Sequence, residues 1–451
     1  MSRVRLLILG VILGCAPILR PQAQAQSPVT PPATAAPQAN TPGQTGKPLT
    51  REQAEAIALK NNPQITIGKL RALEAHQYVR ETRSALLPTA FLSLTGVDAD
   101  PGSRIAAGGI TNPTVYSRAA AGATVSQLIT DFGRTPNLLS SSEFQAKAED
   151  ENAAATRADI TLAVDQAFYN SLETRDLVKV AEETVRARQT LVDKVQALTN
   201  AKLRSDLDLS FSKVDLARAN LLLLESQNNY QAALAALSAI LGYPDEQDFD
   251  LLQPDEPLTP PAPDVHTLIA EALQQRPEVS SLQYQVESAQ KNASAEHELK
   301  LPTVSALGVV GIVPVRDPII PNWYGGVGVN VNIPVFNGFL FSARAKTADL
   351  QTEAARQSLA NLQNNLARDV RTSWQDTNRA YQRLSVTRQL EEQASLALDL
   401  AQQRYNLGLS SIVEFSQAEL GKTEADIADT DARYQYRLTQ IVLAYTIAAP
   451  K

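Results

Sequence analysis

Residues 323–335 read Trp323-Tyr324-Gly325-Gly326-Val327-Gly328-Val329-Asn330-Val331-Asn332-Ile333-Pro334-Val335. From Val327 onward every second residue is Val or Ile, and Gly, Asn or Pro stands between them. A period of two sends alternate side chains to opposite faces of a strand. One face is then apolar and the other small or polar, the pattern of a strand with lipid on one side and water on the other. Ala119, Ala121, Ala123 and Val125 alternate with Gly122, Thr124 and Ser126 in the same sense, and Thr89 to Val97 and Thr303 to Val313 supply partner strands. Each run is about 9–13 residues, the length a tilted membrane strand requires. Alternation alone also suits soluble hairpins that cap a helical bundle, so the rest of the chain has to decide.

Outward from these strands the chain repeats itself. Ala58-Leu59-Lys60-Asn61-Asn62-Pro63-Gln64-Ile65 matches Ala272-Leu273-Gln274-Gln275-Arg276-Pro277-Glu278-Val279, and Leu87-Pro88-Thr89-Ala90 matches Leu301-Pro302-Thr303-Val304. Farther on, Asp131-Phe132-Gly133 falls near Phe336-Asn337-Gly338, and Ser205-Asp206-Leu207-Asp208 near Ser411-Ile412-Val413-Glu414. Each copy reads helix, Pro, helix, strand, loop, strand, long helix, tip, long helix. The second copy has the shorter loop. A repeat of this size speaks for architecture before chemistry.

The long helices are the strongest signal. No Gly or Pro lies between Pro136 and Gly242, and between Pro334 and Pro450 only Gly338, Gly408 and Gly421 interrupt. Leu191, Val195 and Leu198 are spaced 4 and 3, and Leu359, Leu362, Leu366 and Val370 are spaced 3, 4 and 4, which is coiled-coil seam spacing. A stretch of ~65 helical residues makes a rod of about 100 Å. The second rod turns at Tyr405-Asn406-Leu407-Gly408-Leu409-Ser410-Ser411. The first turns between Asn200 and Ser205, with Ala201 expected where the second has Gly408.

Composition narrows the function. The 451 residues carry net charge -7, one Cys and three His. The acidic balance argues against a nucleic-acid partner, and one Cys excludes a disulfide framework or a Cys-rich zinc site. Arg3 and Arg5 followed by Leu6 to Leu19 form a secretory leader, with cleavage after Ala23-Gln24-Ala25. Ile12-Leu13-Gly14-Cys15 offers the alternative of a lipidated Cys15. The Pro/Ala/Gln-rich residues from Gln26 are a disordered tether. No later segment approaches the ~20 apolar residues of a membrane helix. The expected organisation is a signal peptide over 1–25 and a tether over 26–48, followed by two repeats. The first, 49–262, has strands about 89–97 and 118–130 and helices about 136–202 and 206–242. The second, 263–451, has strands about 303–313 and 323–335 and helices about 339–406 and 411–448.

Four strands cannot close a barrel, since the smallest membrane barrels need about eight, and open edges in lipid leave backbone groups unpaired. If these strands span a membrane, several copies must pool them. Duplicated strand pairs and long helical hairpins, Leu-Pro opening a strand and the Tyr405-x-x-Gly408-x-x-Ser411 tip together resemble the TolC-like outer-membrane efflux proteins, over roughly residues 49–448. The resemblance implies a mainly α fold with a membrane β-hairpin pair, assembled as a homotrimeric α/β barrel tube. It implies an exit duct of a tripartite efflux or type I secretion system in a Gram-negative outer membrane. The partners would be outer-membrane lipid, a periplasmic adaptor (membrane fusion) protein and an inner-membrane pump of RND or ABC type. No cofactor, metal or catalytic residue is implied.

Within that resemblance the periplasmic gate falls on Tyr405, Ser410, Glu414 and Gln417. Ser410 stands where the best-known member has an arginine, Glu414 falls at the first acidic ring and Gln417 replaces the second carboxylate. In the first copy either Asp206 or Asp208 holds the corresponding acidic place. Adaptor contact is implied at Ala201, Lys202 and Leu203 and at Gly408, Leu409, Ser410 and Ser411. Ordinary turn chemistry also accounts for these tips, with Gly408 ending one helix and Ser410 or Ser411 capping the next. A periplasmic coiled-coil scaffold or adaptor without a pore is the competing reading. Asp131-Phe132-Gly133 lacks the companions of a kinase triplet, the three His have no metal-ligand spacing, and Glu296-His297-Glu298 reads as a solvated face.

Overall fold

Helix, strand and turn follow the sequence punctuation closely. The computed structural model describes residues 47–99, 117–254, 257–316 and 321–448; Cys15, the leader and most of the tether lie outside them. Thr50 caps α1 (Arg51–Asn61) through a reciprocal capping box with Gln53. Pro63 opens α2 (Pro63–Ser84), with Asn62 as its cap. β1 (Lys47–Leu49), β2 (Thr89–Val97), β3 (Arg118–Thr130), α3 (Arg134–Asn200), α4 (Asp206–Ile240) and β4 (Phe249–Leu251) complete the first repeat. The second holds α5 (Val265–Gln275), α6 (Pro277–His297), β5 (Thr303–Val315), β6 (Trp323–Asn332), α7 (Leu340–Asn406) and α8 (Ile412–Thr446). β6 stops before Ile333 and Pro334, because proline has no N–H for a ladder.

The two copies agree almost residue for residue. α1 and α5 have 11 residues each, α3 and α7 have 67 each, and α4 and α8 have 35 each. Helices before the strands are offset by 214 positions and the long helices by 206, so the segment from the first strand of a pair to the long helix is eight residues shorter in the second repeat. The strand-to-helix turns use two consecutive left-handed residues, Phe132 and Gly133 in one copy and Gly338 and Phe339 in the other. Asp131 accepts from Thr135 N at 2.8 Å and from Thr135 Oγ1 at 2.5 Å, which satisfies a first-turn amide of α3 and assigns that triplet a structural job. Glu298 is no merely solvated residue: its carboxylate accepts from Asn137 Nδ2 at 2.9 and 3.0 Å, beside the start of α3.

β2, β3, β5 and β6 form one antiparallel sheet in that order, so the two repeats join through β3 and β5. Register sorts its faces. Leu94, Ala121, Ile312 and Trp323 lie in one row; Leu92, Ala123, Val310 and Gly325 in the next; then Ala90, Val125, Gly308 and Val327. This face is apolar and bare, with Leu94 78% exposed and Val327 94% exposed. The opposite face carries Ser93, Thr124, Ser126, Ser305, Asn330 and Asn332. There Tyr324 lies across Gly122 and Gly311, and a Cβ at either glycine would run into its ring. Among the described residues β2 and β6 are open edges.

No described helix is long and apolar enough to cross a membrane. α3 packs on α4 and α7 on α8, while α3 and α8 join the hairpins, giving the order α4, α3, α8, α7. A core of Val164, Phe168, Leu172, Leu234, Leu237 and Leu241 holds the first hairpin to α1 and to the parallel β1–β4 pair. A second core sits near the tips, formed by Leu191, Val195, Ala401, Tyr405, Ile412 and Phe415.

Candidate functional site: the helix tips

Both hairpins turn by the same backbone device. Gly408 has φ 74° and Lys202 has φ 61°, so the first copy's counterpart of Gly408 is Lys202 and not Ala201. Left-handed backbone costs a lysine more than a glycine, and no residue pattern marks it there. Paired amide bonds close each turn: Lys202 to Thr199 O and Leu203 to Leu198 O, then Gly408 to Tyr405 O and Leu409 to Arg404 O. Ser205 and Ser411 cap the following helices by accepting from Asp208 N at 3.1 Å and Glu414 N at 3.3 Å. Asp208 therefore occupies the place of Glu414 and completes a capping box with Ser205; Asp206 stands where the second copy has Ile412.

Tyr405 points inward. It is 2% exposed and stacks on Phe415 with ring centroids 5.4 Å apart and planes 8° from parallel. Burial pushes its phenol pKa above the ordinary value against the pull of Arg204. The Arg204 guanidinium lies 4.4 Å from the ring centroid, and its Nη2 donates to Tyr405 O at 3.1 Å. Arg204 is the first-copy counterpart of Ser410, so the arginine absent from the second tip is present on the first and reaches the same tyrosine. Sequence reading missed it because the two residues are 201 positions apart. The hydroxyls of Tyr405 and Ser410 are buried with no hydrogen-bond partner among the described residues. Lys194 Nζ donates to Asn406 Oδ1 at 2.5 Å, a second tie between hairpins.

Glu414 pairs with Arg404 at 3.4 Å, both partly exposed, so its charge is met within the protomer. Gln417 lines a cavity of about 370 Å³ between α8 and the first hairpin, together with Arg188, Asp215 and Ser416. Leu203, Leu407 and Leu409 stand out at the tips, 71%, 74% and 67% exposed. Leu203 and Leu409 are repeat counterparts, so the two hairpins present matching apolar knobs. Among the described residues no group of His, Cys, Asp and Glu is placed to hold a metal ion.

The family model described as outer membrane efflux protein matches residues 56–243 and 268–448. Outer membrane protein TolC of Vibrio cholerae is 24% identical over 409 residues, covering 86% of this chain and 88% of its own length. The outer-membrane channel OprN superposes with TM-score 0.77 at 17% identity, over 89% of this chain and 90% of that one. The CmeC outer membrane channel of Campylobacter jejuni superposes with TM-score 0.73 at 18% identity, over 88% and 85%.

Proposed function

Because this chain belongs to the outer membrane efflux protein family, and is an exit duct of efflux systems in a Gram-negative outer membrane, we propose that it works as a ring of three copies. A periplasmic adaptor and an inner-membrane pump dock on its helix tips and open it. The observation that carries the reading is the four-stranded sheet, whose apolar face is bare and whose two edges are open. Unpaired strand edges do not persist in lipid. Three copies joined β6 to β2 give twelve strands, enough to close a barrel with a polar interior.

The helices support the same ring. The outer helices α4 and α7 each carry an unpartnered apolar stripe. On α4 it is Leu207, Phe211, Val214 and Leu221, spaced 4, 3 and 7; on α7 it is Val386, Leu390 and Leu400, continued by Leu407 at its C-cap. Both follow heptad register and read as coiled-coil seams awaiting a helix. Seating α4 of one copy on α7 of the next makes a head-to-tail contact, which closes into a ring. The matched Leu203 and Leu409 knobs give an adaptor its apolar contact. Lys202, Gly408 and Ser411 shape the turns, and Ala201 and Ser410 flank them. Opening separates the hairpins at the tips, breaking the Arg204–Tyr405 and Lys194–Asn406 ties. Glu414 and Asp208 then line the widening entrance, above which Gln417 withdraws from the first hairpin. We assign the chain no catalytic step; the pump supplies the energy, and lipidation at Cys15 or cleavage after Ala25 anchors or frees the leader end.

A pore-free scaffold leaves the bare apolar sheet face without a purpose. Native mass spectrometry of detergent-purified protein, beside its Leu221→Glu variant, tests the ring. A trimer that the variant dissociates is expected; a monomer in both would refute it.

A further inference from the structure

The seam between α3 and α8 is the main joint that holds the two hairpins of a copy together along their length, and its contacts are polar. Tyr445 donates to Asp159, Tyr434 to Asp176, Thr184 meets Thr423 at 3.5 Å, and Arg188 donates to Glu419. The pairs run in antiparallel order from the strand end toward the tips. Two of the seam's junctions contain more carboxyls than the local cations balance.

The lower junction is buried. The side chains of Arg188, Glu419 and Asp215 are 7%, 10% and 15% exposed and come from α3, α8 and α4. Arg188 Nη1 lies 3.8 Å from Asp215 Oδ2, and Ser416 Oγ of α8 donates to that same oxygen at 2.6 Å. Arg218 reaches Asp215 at 3.5 Å, but its own side chain is 75% exposed and largely screened. One buried guanidinium thus faces two carboxyls, and the group is neutral only when one of them holds a proton. Burying an unbalanced charge is costly. Along one side runs the 370 Å³ cavity between the hairpins, through which solvent reaches the cluster as they part. The upper junction repeats the imbalance: Glu173 of α3 faces Asp431 of α8, whose cation is Arg383 of α7 at 2.7 Å.

We propose that the α3–α8 seam is a proton-dependent clasp between the two hairpins, fastened when Glu419 and Glu173 carry protons and loosened when they lose them. This rests on the reading that the hairpins separate at their tips. Burial, opposed by Arg188 and helped by Asp215, raises the Glu419 pKa to about 7; burial and Asp431 raise that of Glu173 to about 7. A carboxyl whose packed pKa exceeds its solvated value favours the packed state below that pKa and loses the preference as pH rises through it. Acid therefore fastens the hairpins, and pH above about 7 loosens them. For Glu419 alone, a solvated value of 4.5 makes separation roughly tenfold more favourable at about pH 8.5 than at about pH 6.

Hydrogen exchange of the full-length protein in detergent, corrected for intrinsic rates, tests this on peptides from α3 near Arg188 and from α8 near Glu419. Protection should fall roughly tenfold between about pH 6 and about pH 8.5 in the wild type. It should stay at its acid level in Glu419→Gln with Glu173→Gln, whose carboxamides imitate the protonated forms. Each single variant should remove part of the dependence, which covers the case of a double variant that fails to assemble. A wild type without pH dependence, or variants that keep it, would overturn the clasp. Bilayer conductance of the same samples separates this failure from that of the duct: absent current at every pH counts against the opening reading, whatever exchange reports about the seam.

Discussion

Replacing Arg204 with Ala should loosen the tips without touching the fold. The guanidinium sits 4.4 Å from the Tyr405 ring centroid and donates one bond of 3.1 Å to the Tyr405 carbonyl. A half-exposed cation–π contact contributes about 1 kcal/mol, and a charge-assisted bond to a carbonyl about 1.5 kcal/mol. The carbonyl keeps its bond from Gly408 N at 3.1 Å after the change, and ordering the arginine side chain offsets a fraction of the gain. The net loss is about 2 kcal/mol for each copy, a roughly 30-fold shift of one hairpin toward separation. In planar bilayers the variant should spend correspondingly longer in conducting states than the wild type. Arg204→Lys should fall between them, since an ammonium keeps the charge and loses the planar stacking. Wild-type dwell times in an assembled Arg204→Ala protein would refute the idea that this contact holds the tips.

The two faces of β6 give a second test: Val327→Arg places a charge on the bare apolar face, where it costs about 2–4 kcal/mol at the bilayer midplane. It should cut outer-membrane yield, while Asn330→Arg on the opposite face should insert normally; equal yields would contradict the assigned lipid side. At the entrance, Glu414→Ala should lower cation preference and Arg404→Ala should raise it by releasing Glu414 from its 3.4 Å pair. Reversal potentials in a salt gradient decide this, and unchanged values in both variants would place Glu414 off the conducting path.

Much of the architecture was readable because it depends on local pattern. Alternation marked β6 and β3, and the absence of Gly and Pro marked the long helices. A serine cap at the second tip, at Ser410 or Ser411, was also legible, since capping is a matter of nearest neighbours, and Ser411 holds it. What escaped reading depends on contacts remote in sequence. Arg204 looks like an ordinary turn arginine until folding carries it onto Tyr405. Glu298 looks solvated until Asn137 arrives, 161 positions away in the chain. The turn position falls on Lys202 and not on Ala201, and a left-handed lysine has no sequence signature. The β1–β4 pair is three residues on each strand, too short for any periodicity to show. The tip pattern points to Tyr405, but its burial against Phe415 depends on how α7 and α8 pack, which spacing alone does not supply.

The most direct measurement is single-channel recording of the detergent-purified protein in planar bilayers, wild type beside Arg204→Ala. Discrete cation-preferring steps, longer-lived in the variant, are the expected result for a duct closed at its helix tips. Silence from both proteins, with the oligomer intact, would contradict it.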